Sequence, residues 1–278
     1  MPSKLPSISI IIPAHNESDY IADCLDAIHL QTVNPKEVIV VDNNSTDTTA
    51  KIAKSYKQVR VIYESRQGQS FARNTGFAAA SGDIIVRIDA DTILPKDYIQ
   101  TLCQLALEHP EIAGFTGFGM SRYEFIPQLS LLWSWGYFMY TKAYFGYPML
   151  WGANMAVRAS YWRQLEPYLI NDDIAIHEDQ DASLALACVG GNVLITRRLT
   201  VSVQMESMLH YVRYRKYVLM MHMLKLLHIE HPRSRSKERI ARVPFMRRAL
   251  YWLATVWAMY GFYIITFIYV VYRKLYSR

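Results

Sequence analysis

Through the first ninety residues, short apolar runs alternate with stretches whose apolar residues recur at helical spacing. The run "SISIIIP" (7–13) is β-branched and stopped by proline, as expected of a buried strand. After it, Ile21, Leu25 and Ile28 fall on one helical face. "EVIVVD" (37–42) predicts a second strand, and "STDTTAKIAKSY" a helix with Ser45, Thr46 and Asp47 as capping candidates. Residues 59–64 predict a third strand, 70–80 a helix and 83–89 a fourth strand. Such alternation implies a parallel sheet with right-handed crossovers, and unbroken apolar strands imply burial on both faces. Ligands of these sheets collect beyond the carboxyl ends of the strands. Here those ends read "PAHNE", "VDNNS" and "DADT", and they are expected to line one cleft.

The pattern changes near the C-terminus. Ala249 to Tyr272 contains no charged residue. As a helix it would measure about 36 Å at about 1.5 Å per residue, against a bilayer core of about 30 Å. Arg247 and Arg248 precede it; Arg273, Lys274 and Arg278 follow; Trp252, Trp257, Tyr269 and Tyr272 suit the interface. It is expected either to cross a membrane or to lie in its surface, and Gly261 and the scattered tyrosines leave both open. Upstream, residues 207–227 mix Arg213, Arg215, Lys216 and Lys225 with Met, Leu and Tyr, as a basic amphipathic helix on anionic lipid would.

Charge sharpens this division. Residues 1–204 carry 16 Lys and Arg against 21 Asp and Glu, a balance of −5; residues 205–278 carry 14 against 3, a balance of +11. A basic, apolar quarter on an acidic body points to a membrane surface, and no nucleic-acid recognition module is legible. The expected organisation is a catalytic domain over 1–204, a basic interfacial region over 205–248 and a hydrophobic helix with a short basic tail over 249–278. Cys24, Cys103 and Cys188 are odd in number and far apart, which argues against a disulfide framework or a zinc site. The start, "MPSKLPSISI", has no signal-peptide character, so the expected location is the cytoplasmic face of the membrane.

Asp89 and Asp91 stand one residue apart directly after the fourth apolar run. Buried carboxylates need a cation, a hydroxyl or a backbone amide as partner. "IIPAHNE", "VIVVDNNSTDTT", "GQSFARNTGFAAASGD", "IDADT", "GANMAVR" and "HEDQDASLAL" follow one another in order. Together, over about residues 7–200, they resemble the family 2 glycosyltransferases, with an α/β nucleotide-sugar-binding GT-A fold. "VDNNSTD" departs from that family's commoner Asp-Asp-Gly-Ser form.

The resemblance implies a nucleotide-sugar donor, uridine-based or guanosine-based, with Mn²⁺ or Mg²⁺ as the metal. It makes Asp91 a metal ligand, while Asp89 contacts the ribose or reaches the metal through water. Pro13, His15, Asn16 and Glu17 after the first strand, and Asp42 and Asn44 after the second, would surround the nucleoside. Asp42 would accept a hydrogen bond from the base, Glu17 one from a ribose hydroxyl, and His15 would pack beside the base. Gly68 would allow close backbone approach, and Arg73 would pair with Asp89 or with the diphosphate. Gly152, in "WGANMAVR", would line the donor sugar. Asp179 would be the catalytic base of an inverting transfer, Glu178 a support for donor or acceptor, and Asp181 a helix cap. Related enzymes also suggest His210 as an extra metal ligand, although a surface histidine is the simpler reading.

The aromatic stretch 125–150 packs in the core or borders an acceptor site. No Gln-x-x-Arg-Trp motif follows the Glu178–Asp179 pair, which favours addition of a single sugar over processive polymerisation. The expected acceptor is lipid-linked or membrane-bound, in glycan or cell-envelope polysaccharide synthesis. Two alternatives stand beside it: a nucleotidyltransferase of the same fold, and an inactive membrane-bound partner of another transferase. The oligomeric state stays open.

Overall fold

The structure is a computed structural model that describes residues 5–122, 127–170 and 177–204. The strands β1 (Ile8–Ala14), β2 (Glu37–Asp42), β3 (Val59–Tyr63) and β4 (Ile84–Arg87) alternate with the helices α1 (Ile21–His29), α2 (Thr49–Ser55) and α3 (Gln69–Ala79). Then come α4 (Tyr98–Glu108), β5 (Gly114–Thr116), β6 (Gly119–Ser121), α5 (Pro127–Phe145), β7 (Met155–Arg158) and α6 (Ala159–Leu165). The helix α7 (Glu178–Cys188) and the strands β8 (Val193–Ile195) and β9 (Val201–Val203) complete the described residues.

Seven strands form one sheet in the order β3-β2-β1-β4-β7-β5-β8, and β6 pairs with β9 in a small second sheet. β1 runs parallel to β2 and β4, β2 to β3, and β5 to β8. β7 alone reverses the main sheet, antiparallel to both β4 and β5. The mostly parallel sheet between helices agrees with the α/β fold that the resemblance implies. Its core sorts by the two-residue period of the strands. Ile8, Ile10 and Ile12 pack with Ile21, Leu25 and Ile28 of α1 and with Leu102 of α4. Ile11, Ile39 and Val41 pack with Ala72 and Phe77 of α3 and with Ala182 and Leu186 of α7. Burying each of the Ile, Leu, Val and Phe side chains among these stabilises the fold by about 1.5–3 kcal/mol.

The strand order decides where the cleft lies. From β1 the chain winds outward to β2 and β3, then returns to β4 on the other flank of β1. The ends of β1 and β4 therefore flank a topological switch point, where an open α/β sheet leaves a crevice. The fourth strand is shorter than its apolar run. Ile88 still donates its backbone N–H to Ile11 (3.1 Å), but the carbonyl of Asp89 accepts from Thr92 (3.0 Å), turning the chain out of the sheet.

Of the three capping candidates, Asp47 serves the start of α2, with its Oδ1 accepting from the backbone N–H of Thr49 (2.9 Å). Asp181 does not cap α7. It is fully buried, and its carboxylate accepts from the backbone N–H of Ile170 at 3.1 and 3.2 Å, which ties α7 to the preceding segment. Among the described residues no helix is long and apolar enough to cross a membrane. The stretch 205–278, with the expected amphipathic and hydrophobic segments and His210, lies outside the described residues.

Candidate active site

Loops from β1, β2 and β3 are laced together on the side where the resemblance places the nucleoside. His15 Nδ1 lies 2.8 Å from the carbonyl of Asn43, an acceptor only, so this nitrogen carries the proton. His15 Nε2 is then the acceptor for the side-chain amides of Gln67 (3.2 Å) and Asn16 (3.3 Å). Asn16 and Asn44 have φ of 55° and 60°, a left-handed conformation that asparagine adopts more readily than other non-glycine residues. Asn16 Oδ1 accepts from the backbone N–H of Thr46 (2.8 Å), and Asn44 donates to the carbonyl of Ser65 (2.6 Å). Asp42 is buried, and its Oδ1 accepts from the backbone N–H of Ser45 (3.2 Å). Pro13 occupies the penultimate position of β1, beside Val41 of β2.

Asn43 was not singled out by the sequence motifs, yet it organises this corner. Its side-chain amide donates to the carbonyls of Glu64 (3.0 Å) and Arg66 (2.7 Å), and its Oδ1 accepts from the backbone N–H of Gly68 (2.7 Å). Gly68 has φ of 151°, which disfavours any side chain there. The departure "DNN" from Asp-Asp-Gly was the available signal.

At the switch point Glu17, Asp89 and Asp91 feel one another's charge. Burial raises Glu17 to about 7, with Asp91 and then Asp89 adding to the effect. Asp91 is raised to about 6 by burial and then by Asp89. This excess of negative charge on hard oxygen donors suits Mg²⁺ or Mn²⁺. Among the described residues no cluster of three His, Cys, Asp or Glu ligands forms. Asp89 and Asp91 would therefore hold the ion together with oxygens from outside the protein, as Mg²⁺ sites commonly do.

On the other side of the cleft, α7 begins with Glu178 and Asp179, only 4% and 5% exposed. Asp179 accepts from the backbone N–H of Gly152 through Oδ2 and of Gln180 through Oδ1, each at 2.8 Å. Burial and then Glu178 nevertheless raise it to about 7, with the two N–H groups and Arg87 acting in the opposite direction. A carboxylate near neutrality is well matched to taking a proton. The aromatic helix α5 reaches this point: the side-chain amide of Gln180 donates to the hydroxyl of Tyr137 (3.2 Å).

Two buried arginines hold Glu178. Arg73 Nη1 donates to Glu178 Oε2 (3.0 Å) and also to its carbonyl, while Arg87 Nη2 donates to Glu178 Oε1 (3.1 Å). Arg87 Nη2 also meets Asp89 Oδ1 (2.8 Å). This corrects the expected role of Arg73. Its side chain has no exposed surface, so it is not offered to a diphosphate, and the pairing with Asp89 belongs to Arg87. Sequence reading overlooked Arg87, although a cation closing the apolar run "DIIVRID" was visible.

The sequence profile of "Glycosyl transferase family 2" matches residues 9–165. The chain belongs to glycosyl transferase family 2. Among its relatives, the glycosyltransferase AglE of Haloferax volcanii is 43% identical over 99 residues, covering 33% of this chain and 32% of AglE. The putative teichuronic acid biosynthesis glycosyltransferase TuaG of Bacillus subtilis is 31% identical over 120 residues, 41% of this chain and 48% of TuaG. The matched segment thus spans less than half the length of either relative. The fold is shared with solved structures. S. aureus TarS 1–349 superposes with a TM-score of 0.61 at 16% identity, covering 85% of this chain and 70% of its own. The mannosyltransferase PcManGT from Pyrobaculum calidifontis, in complex with GDP-Man and Mn²⁺, gives 0.59 at 20% identity, covering 100% and 89%.

Proposed function

We propose that this chain is a metal-dependent inverting glycosyltransferase that moves one sugar from a nucleotide-sugar donor to an acceptor hydroxyl. The observation that carries the reading is the single Arg87 nitrogen in contact with both Asp89 and Glu178. It brings the acidic pair at the end of β4 and the acidic start of α7 into one cleft. Mn²⁺ or Mg²⁺, when bound, supplies positive charge against the diphosphate that departs. Asp89 and Asp91 would hold that ion, the loops around Asp42, Asn44 and His15 would receive the nucleoside, and Gly152 would line the sugar. Asp179 takes the proton of the acceptor hydroxyl as its oxygen forms the new bond to the anomeric carbon. Attack opposite the departing diphosphate inverts that carbon. Glu178 keeps the start of α7 in place between two arginines.

A uridine donor is the preferred reading, and a guanosine donor is compatible with the same residues. TarS has a structure in complex with UDP-GlcNAc, and PcManGT one with GDP-Man. The acceptor is read as a lipid-linked or membrane-bound glycan precursor at the cytoplasmic membrane face. Support for this comes from the +11 balance of residues 205–278 and the uncharged run Ala249–Tyr272. The test is donor turnover by the purified full chain with and without Mn²⁺. Metal-dependent release of nucleoside diphosphate supports the reading. Release of pyrophosphate would mark a nucleotidyltransferase, and absence of turnover with every donor would mark a silent partner.

A further inference from the structure

The two arginines that grip Glu178 are not equivalent. Arg73 touches Glu178 at Oε2 and at the backbone carbonyl, stacks over Trp162 (5.4 Å to the ring centroid) and is wholly buried, which makes it an anchor of α7. Arg87, at the end of β4, reaches three separate parts of the cleft. Its Nη2 lies 2.8 Å from Asp89 Oδ1 and 3.1 Å from Glu178 Oε1. Its Nη1 lies where a Cβ on residue 152 would stand, 2.0 Å away, so Gly152 packs directly on the guanidinium. The backbone N–H of that same glycine donates to Asp179 Oδ2.

We propose that Arg87 is a positioning residue for Asp179, holding it in place through Gly152 on one side and Glu178 on the other while it is tied to Asp89. This rests on the reading of Asp179 as the base. The asymmetry between the arginines supports it. Without Arg87, Glu178 keeps its pairing with Arg73, whereas Asp89 has no other ion pair among the described residues. The loss of Arg87 is therefore felt at the cleft more than in the core. The groups facing Asp179 are Glu178 and Arg87, with Tyr137 from α5, and Glu178 raises its affinity for a proton while Arg87 lowers it. Removing a neighbouring cation shifts a carboxylate upward by about one pH unit or more.

The experiment compares full-length R87M and R87K with the parent and with D179N. One readout is the pH–rate profile. The other is the infrared band of the protonated Asp179 carboxyl, identified by its absence from D179N. In R87M, kcat is expected to fall at least tenfold at pH 7, and both the rising limb of the profile and the infrared titration to move up by about one unit. R87K, which keeps a cation there, is expected to return both toward the parent. A purely structural role would lower activity equally at every pH and leave the titration unmoved, and that result overturns the proposal. If R87M does not fold, R87Q takes its place. Failure of both neutral variants to fold while R73M folds would assign Arg87 to the core and overturn the proposal too. D179N separates the two ideas: normal transfer by D179N removes the underlying reading, whereas an inactive D179N beside unshifted Arg87 variants removes only the role of Arg87.

Discussion

Arg73 and Glu178 form an ion pair of 3.0 Å with side chains 0% and 5% exposed, joining α3 to the start of α7 across the sheet's second face. Removing one partner of such a pair leaves a buried charge less well compensated, at a cost of about 3–5 kcal/mol. Arg87 still holds Glu178, so the lower end applies. R73M is expected to lose about 3 kcal/mol in urea-induced unfolding.

Asp179 makes the pH prediction. Its carboxyl is raised to about 7 in the folded protein, by burial and by Glu178, against about 3.9 in an unfolded chain. The folded state therefore binds the proton more tightly, so the Asp179 contribution to stability is complete below about pH 4 and is lost as pH rises through about 7. Activity follows the opposite course, because only the ionised form accepts a proton, so the rate is expected to rise through about pH 7. D179N is expected to lower transfer about 10²-fold or more while the nucleotide still binds. Its amide turns one NH₂ toward a backbone N–H, so it is less stable than the parent in acid, and the gap narrows as pH rises from about 4 to about 7. Thermal melts of both proteins from pH 4 to 9 check the sign.

Gly152→Ala tests the packing of the glycine loop. The added Cβ would stand 2.0 Å from Arg87 Nη1 and 3.2 Å from Glu178 Oε1. Overpacking of this kind costs about 1–3 kcal/mol. A loss of stability in that range is expected, with a larger loss of kcat than of nucleotide binding. Unchanged kinetics would separate Gly152 from the reacting groups.

The acidic group around Asp89 and Asp91 leads to a prediction of metal dependence. Excess chelator is expected to abolish turnover and Mn²⁺ to restore it. Asp91→Asn is expected to raise the metal concentration for half-maximal activity at least tenfold. Full activity in chelator would refute the assignment of the pair.

The C-terminal residues make a prediction about fractionation. Basic residues near anionic lipid contribute about 1 kcal/mol each and weaken with salt, whereas burial of an apolar run does not weaken in that way. The full chain is expected to stay with membranes in high salt and to require detergent for release. A chain ended after Glu206 is expected to be more soluble, to bind nucleotide and to transfer poorly to a lipid-linked acceptor. Release by salt alone would count against the membrane reading.

Much of this architecture was legible in the chain because its signals are local. The runs at Ile8–Ile12 and Val38–Val41 are strands buried on both faces, and Ile21, Leu25 and Ile28 mark the buried face of α1. The polar strand ends "PAHNE", "VDNNS" and "DADT" likewise pointed to one cleft, whereas Asp179, at the start of a helix, entered only through the family resemblance. Periodicity and spacing encode such features directly, since each depends on residues close in sequence. Partner choice does not. Whether Arg73 or Arg87 meets Asp89, why Gly152 has no side chain, and that Asp181 ties down Ile170 instead of capping α7 depend on groups brought together by the reversed strand β7 and by α7. Arg73 and Glu178 are 105 residues apart in the chain. A buried charge takes whichever opposite charge the packed elements bring within hydrogen-bond reach, so only the tertiary structure could decide these pairings.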